Sequence, residues 1–352
     1  MSANTDADTT DAGTDAGSDV SAAGADVVDY AAYLPPYRLP ADAYDAWNGS
    51  RARIDEKRVP GFDEDVVTMG IEAASRLDRD GDWHAAIETL ALASTSWPQP
   101  GTAASGPLVT ALGLPTDVRA IECGTSWRAG LEALELAVDG PPALAVIADH
   151  PTADPADDVE HLLGAGAVAV RTGRSDEPVA RRLDSRHYTS AHVPGRFVDP
   201  DGGRVVDLSI GQYDTDAYAE AVGGVVEPLL EANGYEPSDV AHAVLPQEDV
   251  KIAWRAGSRL GFDAEQMRAG FVVNRAGFAG AAASPLGMAA AFDAASPGDL
   301  VVVASYGHGH GATAVLFEVG EGVERTGAGV SDQLDGGHEL SYTDYLKQQG
   351  AI

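Results

Sequence analysis

Cys123 is the only cysteine of the 352-residue chain, and it stands at the entrance of a turn suited to nucleophilic chemistry. The stretch Ala120–Ala137 reads AIECGTSWRAGLEALELA. An apolar strand end, Val118 to Ile121, runs into a Gly-Thr-Ser turn and then into an amphipathic helix whose buried side holds Leu131, Ala133, Leu134, Leu136 and Ala137. Thr125 or Ser126 is a candidate N-cap, which would leave backbone N–H groups and the positive end of the helix dipole at the turn. Many α/β enzymes place a nucleophile on such a strand-to-helix elbow. A cysteine on the strand side of the turn also has a plain reading, as a small packed apolar residue.

Three further constellations could carry chemistry. Lys251, Arg255 and Arg259 fall at i, i+4 and i+8 on one face of a predicted helix. They read either as an anion-binding stripe or as partners for acids such as Glu248 and Asp263. In Gly307-His308-Gly309-His310-Gly311 two histidines share one side of an extended segment. Imidazole suits Zn or Ni, but no third ligand is placed by spacing, so the segment reads as a glycine turn, with proton transfer or ligand contact as its functional alternative. His150 with Asp154, Asp157 and Asp158 reads as an acidic loop.

The elements that must position these residues alternate between strands and helices. In the first half, strands are predicted at 27–34, 87–93, 143–148 and 165–170, with a helix capped by Asp63 or Asp65 running to Leu77. In the second half, helices at 214–232, 249–260 and 281–294 alternate with strands at 240–245, 271–273, 300–305 and 312–318. This alternation predicts α/β layers, and the similar order in both halves predicts an internal duplication. Residues 1–26 form an acidic tail with six aspartates and no basic residue, expected to be solvated and disordered. Residues 27–175 make the first half, 176–203 a polar, irregular connecting segment, and 204–352 the second half.

Composition narrows the function classes. Lysine and arginine number 23 against 55 acids, a net charge of −32, and lysine is confined to positions 57, 251 and 347. Acids spread along the whole chain read as adaptation to a high-salt cytoplasm, where screening blunts self-repulsion. The same charge disfavours nucleic acid. No run approaches the roughly 20 apolar residues of a membrane span, and the tail lacks the basic start and apolar centre of a signal peptide.

Four stretches resemble one family, the archaeal-type 3-hydroxy-3-methylglutaryl-CoA synthases: VDYAAYLPPYR (28–38), KRVPGFDED (57–65), SPLGMAAAFDAASPGDLVVVASYG (284–307) and SYTDYLKQQGAI (341–352). The resemblance, over residues 27–352, implies the thiolase fold: two similar halves, each a five-stranded sheet with helices, stacked as α-β-α-β-α layers and usually dimeric. It implies acyltransferase chemistry, joining acetyl-CoA to acetoacetyl-CoA through a cysteine nucleophile, a glutamate, a histidine and an asparagine. At those places this chain departs. By ungapped placement Trp127 replaces the cysteine, Thr95 the glutamate, Pro246 the histidine and Phe278 the asparagine. The aromatic replacements would fill space that substrate carbonyls occupy in the family. Lys251 matches a lysine that meets CoA phosphates there, and His308 falls where the family has Gly-Ser-Gly.

The expectation is therefore a catalytically degenerate relative, leaning towards a non-enzyme: a structural or regulatory subunit with no required cofactor and with CoA or acyl-CoA as its ligand. The alternative is an active condensing acyltransferase with a relocated nucleophile, Cys123, or a cysteine-free mechanism using His308 or His310 as base. The resemblance implies as partners a second copy or another thiolase-fold enzyme, and a zinc-ribbon/OB-fold protein that bridges such enzymes.

Overall fold

A computed structural model describes residues 25–48, 53–77, 82–99, 101–248, 250–309, 311–325 and 329–352. The acidic segment 1–24 and His310 lie outside the described residues; the first strand already begins at Asp26, inside the stretch expected to be tail.

The first half of the chain forms β1 (Asp26–Tyr33), β2 (Tyr37–Pro40), α1 (Ala41–Asn48), β3 (Glu56–Val59), α2 (Val66–Ala74), β4 (Thr89–Ala93) and α3 (Ser105–Leu112). Then follow β5 (Arg119–Cys123), α4 (Ala129–Val138), β6 (Ala143–Asp149) and β7 (Gly166–Gly173). Beyond them lie β8 (Ala180–Thr189), the hairpin β9 (Arg196–Val198) and β10 (Val205–Asp207), and the long helix α5 (Gln212–Ala232). The remainder is β11 (Val240–Val244), α6 (Val250–Arg259), α7 (Ala264–Arg268), α8 (Val273–Ala276) and α9 (Ala283–Ala294). It closes with the antiparallel pair β12 (Leu300–Gly307) and β13 (Gly311–Val319), then α10 (Ser331–Asp335), β14 (His338–Glu339) and α11 (Tyr342–Gln348).

Nine strands run in the order β11-β12-β13-β8-β1-β7-β6-β4-β5. The halves meet at β1 and β8, where Val27 pairs with Ala180. Outward from that seam each half repeats one pattern: two antiparallel pairings, then parallel ones. This is the expected duplication. It is incomplete, with five strands in the first half and four in the second. Phe271–Val273, expected to be a strand, instead leads into α8.

Because strand side chains alternate, each half feeds two apolar layers. Leu90, Leu92, Leu144 and Val146 pack outward against α2 and α3. Ala91, Ala145, Ile147, Val301, Val303 and Phe317 turn inward onto α4 and α9, which form the central layer. On the far side, Val302, Ala304, Ala314 and Leu316 meet α5, α6 and α7. The layers are therefore α-β-α-β-α, as expected.

Three local expectations are corrected. Residues 176–203 are not irregular throughout, since they contain β8, a ten-residue strand at the centre of the sheet. The second half therefore starts well before residue 204. Neither Thr125 nor Ser126 caps α4: the cap position is Arg128, with no side-chain bond, and the Ser126 carbonyl accepts from Ala129 N–H. Leu136 is exposed, not buried. Asp65 does cap α2, its carboxylate accepting from Val67 and Thr68 N–H at 2.9 Å each.

The C-terminal segment folds back on the first half. Strand β14 pairs with β2, and Tyr342, Tyr345 and Leu346 of α11 pack on Leu39, Tyr44 and Val59. The buried Lys57 ammonium anchors this return, donating to Glu160 at 2.5 Å and to the Tyr345 hydroxyl at 3.0 Å.

Candidate functional site

The C-terminal ends of β4, β5 and β6 converge with the β12–β13 turn and the loop before α9. Asp149, fully buried at the end of β6, holds them together. Its carboxylate accepts from the hydroxyls of Ser94 (3.2 Å), Thr95 (2.7 Å) and Ser96 (2.5 Å), and from Ala281 N–H at 2.8 Å. Gly280 (φ +50°) permits that approach, because a side-chain carbon there would lie 2.2 Å from an Asp149 oxygen.

Above this hub the turn Gly124–Trp127 floors a cavity of about 240 Å³, walled also by Thr95, Phe197, Val198, Arg196 and His308. The Trp127 indole is buried and meets the Phe278 ring edge-on at 4.9 Å and the His308 ring at 5.6 Å between centroids. Three of the positions singled out in the sequence, Thr95, Trp127 and Phe278, are thus brought together. Pro246 is set apart: its carbonyl accepts from the Tyr218 hydroxyl at 2.8 Å.

Cys123 ends β5, half-buried against the central layer, and lines neither this cavity nor the larger one beside it. Burial pushes its thiol pKa up, and the Glu132 carboxylate adds to the rise. A thiol held protonated is a poor nucleophile.

The larger chamber, about 640 Å³, shares with the small cavity only Arg196 and His308. His308 is its chemical centre. Nε2 lies 2.5 Å from Glu248 Oε2, while Nδ1 lies 3.9 Å from Asp214 Oδ1 and has no hydrogen-bond partner. Arg196 braces the same group, 2.9 Å from Asp207 and 3.8 Å from Glu248. Burial raises the Asp214 pKa, partly opposed by His308. Asp207 is also desolvated, but the Arg196 charge and bonds from Ser209 outweigh burial and hold it low. Tyr306 completes the wall, its phenol kept protonated by burial and by the Glu248 and Asp214 charges.

The basic stripe does form one exposed face of α6. Lys251, Arg255 and Arg259 are all exposed, and neighbouring Ile252 lines the large chamber. The acids named as alternative partners are engaged elsewhere, Glu248 with His308 and Asp263 as the cap of α7. Asp157 and Asp158, read as part of an acidic loop, line the chamber. Among the described residues no group of three potential ligands could hold a metal ion, and no helix is long and apolar enough to cross a membrane.

Sequence reasoning missed Arg196, Asp207, Asp214, Glu248 and Tyr306. Arg196 and Asp207 lie on the hairpin after β8, in or just beyond a stretch read as linker. Glu248 was named only as a possible partner for the basic stripe, not as a site residue.

Comparison with known proteins places this geometry. A hydroxymethylglutaryl-CoA synthase of Pyrobaculum arsenaticum is 31% identical over 344 residues, 93% of this chain and 98% of its own. The chain belongs to the hydroxymethylglutaryl-CoA synthase family. The Pyrococcus furiosus synthase is 30% identical over 312 residues, covering 85% of this chain and 87% of its own. Residues 230–319 match the family model "3-Oxoacyl-[acyl-carrier-protein (ACP)] synthase III C terminal". Among solved structures, an HMG-CoA synthase complexed with CoA superposes with a TM-score of 0.81 at 17% identity, over 92% of this chain and 90% of its own. The 3-oxoacyl-[acyl-carrier-protein] synthase III of Aquifex aeolicus VF5 gives 0.72 at 21%, over 84% and 100%. These likenesses establish the thiolase fold and a family of condensing enzymes.

Proposed function

We propose that this chain is a member of the HMG-CoA synthase family that has lost thiolate-based condensation, and that it holds CoA or acyl-CoA as a structural or regulatory subunit. One observation carries the reading. The elbow turn facing the small cavity offers Gly124, Thr125, Ser126 and Trp127, while the only thiol lies outside both cavities and is held protonated. Trp127 packed on Phe278 occupies part of the space at the turn.

CoA is the proposed ligand because relatives act on CoA thioesters and one superposed synthase is complexed with CoA. Its phosphates would meet the exposed stripe of Lys251, Arg255 and Arg259, beside the chamber that Ile252 lines. The proposed setting is a high-salt cytoplasm. The proposed partner is a second copy or another thiolase-fold enzyme, meeting at β5, an edge strand with Arg119, Ala120 and Glu122 exposed. A zinc-ribbon/OB-fold bridging protein remains the further partner implied by the resemblance.

The deciding experiment is an intact mass after incubation with acetyl-CoA in molar KCl, beside Cys123→Ser. No acetyl adduct is expected, while CoA raises the unfolding temperature and the double reversal R255E/R259E removes that rise. An adduct present in the wild type and lost in Cys123→Ser would make Cys123 a working nucleophile and overturn the reading. A second reading has its own observation: the His308–Glu248 pair allows chemistry that needs no thiol.

A further inference from the structure

The walls of the large chamber carry more negative charge than their own cations answer. Among the described residues they hold Asp157, Asp158, Asp207, Asp214 and Glu248 against two guanidiniums, Arg53 and Arg196. Part of this charge is met within the wall. Arg196 lies 2.9 Å from Asp207, and Glu248 lies 2.5 Å from His308. Asp214 is served least. Its side chain is 18% exposed, and among the described residues the only basic group within 4 Å is His308 Nδ1, at 3.9 Å. Its carboxylate accepts no hydrogen bond there. Burial, with the Asp207 and Glu248 charges behind it, raises its pKa, as expected of a carboxylate short of positive charge.

Tyr306 adds an independent observation. It is only 3% exposed and lines the same chamber, and among the described residues its hydroxyl has no hydrogen-bond partner. Burial and the nearby acids keep that phenol protonated, so it is a donor. Unlike the enclosed Nδ1 of His308, the Tyr306 hydroxyl and the Asp214 carboxylate stay within reach of the chamber. Groups buried to this degree are ordinarily hydrogen-bonded. A molecule that satisfies both brings a positive charge to Asp214 and an acceptor atom to Tyr306. Among the described residues no group of three potential ligands could hold a metal ion, so the charge belongs to an organic cation.

The route in is set by α6. Ile252 lines the chamber next to the exposed Lys251, so a CoA thioester held at the basic stripe would lead its acyl end between these walls. We propose that the large chamber selects an aminoacyl-CoA, its terminal ammonium at Asp214 and its thioester carbonyl accepting from the Tyr306 hydroxyl. This rests on the CoA-binding reading above. An acyl group ending in a carboxylate is repelled by the same walls.

The test titrates the full chain, in molar KCl, with CoA, butyryl-CoA, β-alanyl-CoA and malonyl-CoA. Butyryl and β-alanyl differ only in a terminal methyl against an ammonium, and malonyl ends in a carboxylate. Molar salt screens the exposed Asp157 and Asp158 but leaves the partly buried Asp214 effective. β-Alanyl-CoA should bind about tenfold or more tighter than butyryl-CoA, and malonyl-CoA should bind weakest of the three. Asp214→Asn should bring β-alanyl-CoA and butyryl-CoA to within about twofold of each other. Tyr306→Phe should weaken both by about threefold and keep their ratio, because the phenol serves the carbonyl they share. Equal binding of the two by the wild type, tightest binding of malonyl-CoA, or an unchanged ratio in Asp214→Asn would each overturn the proposal. Should Asp214→Asn fail to fold, the wild-type ratio decides alone. If CoA binds but the acyl groups are not distinguished, only this proposal fails. If CoA itself does not bind, the reading it rests on fails first and this proposal falls with it.

Discussion

His150 follows Asp149 at the end of β6, its backbone N–H bonded to the Ser96 hydroxyl at 2.9 Å. The residue keeps part of its surface open, yet the ring itself is desolvated. Burial, and after it the Lys57 ammonium, push its pKa down to about 4 from 6.5. The folded chain therefore refuses a proton that the unfolded chain accepts. Stability is intact above about pH 6.5, falls as pH drops from there to about 4, and levels off below; His150 accounts for a loss on the order of 3 kcal/mol. Denaturant midpoints for wild type and His150→Gln should converge as pH falls from 7.5 to 4. A constant gap would mean that the imidazole is not desolvated. Individual site residues were unevenly legible. Thr95, Trp127, Phe278 and His308 drew attention because their types contrast with a known pattern. Glu248, read only as a possible partner of the basic stripe, and Asp214 did not point to His308, because in a chain with 55 acids an acid carries no signal until packing sets it against one histidine.

At the level of elements, helix α4 is the one whose placement the whole site depends on. It lies against the loop before α9 so closely that a side-chain carbon on Gly130 would sit 2.0 Å from the Ala281 carbonyl oxygen. Gly130→Ala should thus push α4 away from residues 280–282, whose Ala281 N–H is tied to Asp149. We expect a loss of about 2–3 kcal/mol in the denaturant midpoint, together with loss of the CoA-induced stabilisation, since the turn preceding α4 moves with it. A variant as stable as wild type would show that the contact relaxes freely. Helix α2 was readable from its Asp65 cap and its inward-facing apolar residues, whereas α5 and α9 have no side-chain cap. Strand β8 was hidden because its sequence, ARRLDSRHYT, looks polar. Strand β13 pairs with it along its length and β1 meets it at Ala180, while its arginines turn to Asp26, Asp139 and Asp184. The pairings with β13, Asp26 and Asp139 are long-range, and no local pattern announces them. Phe271–Val273 is the converse, an apolar run too short to distinguish a strand from the approach to α8.

The molecule as a whole carries a charge of −32, which bears directly on an anionic ligand such as CoA. The chain's radius of gyration is expected near 20 Å, whereas the Debye length is about 10 Å at 0.1 M salt and about 3 Å at 1 M. At low salt a phosphate approaching α6 feels the three cations of the stripe, but also every carboxylate within roughly 10 Å, in a chain with more than twice as many acids as bases. Raising the salt removes the more distant, mostly repulsive part first. Direct contacts with Lys251, Arg255 and Arg259 are screened least, because they are closest. CoA affinity should therefore strengthen as KCl rises from 0.1 to 1 M, opposite to the usual weakening of anion binding at a basic patch. The unfolding midpoint should rise over the same range as self-repulsion is screened. Calorimetric titration of CoA at several KCl concentrations, with R255E/R259E alongside, separates the two contributions: the double variant should bind weakly at every salt. Affinity that falls steadily with KCl would mean the stripe outweighs the net charge, and that the acids near it are fewer than the composition implies.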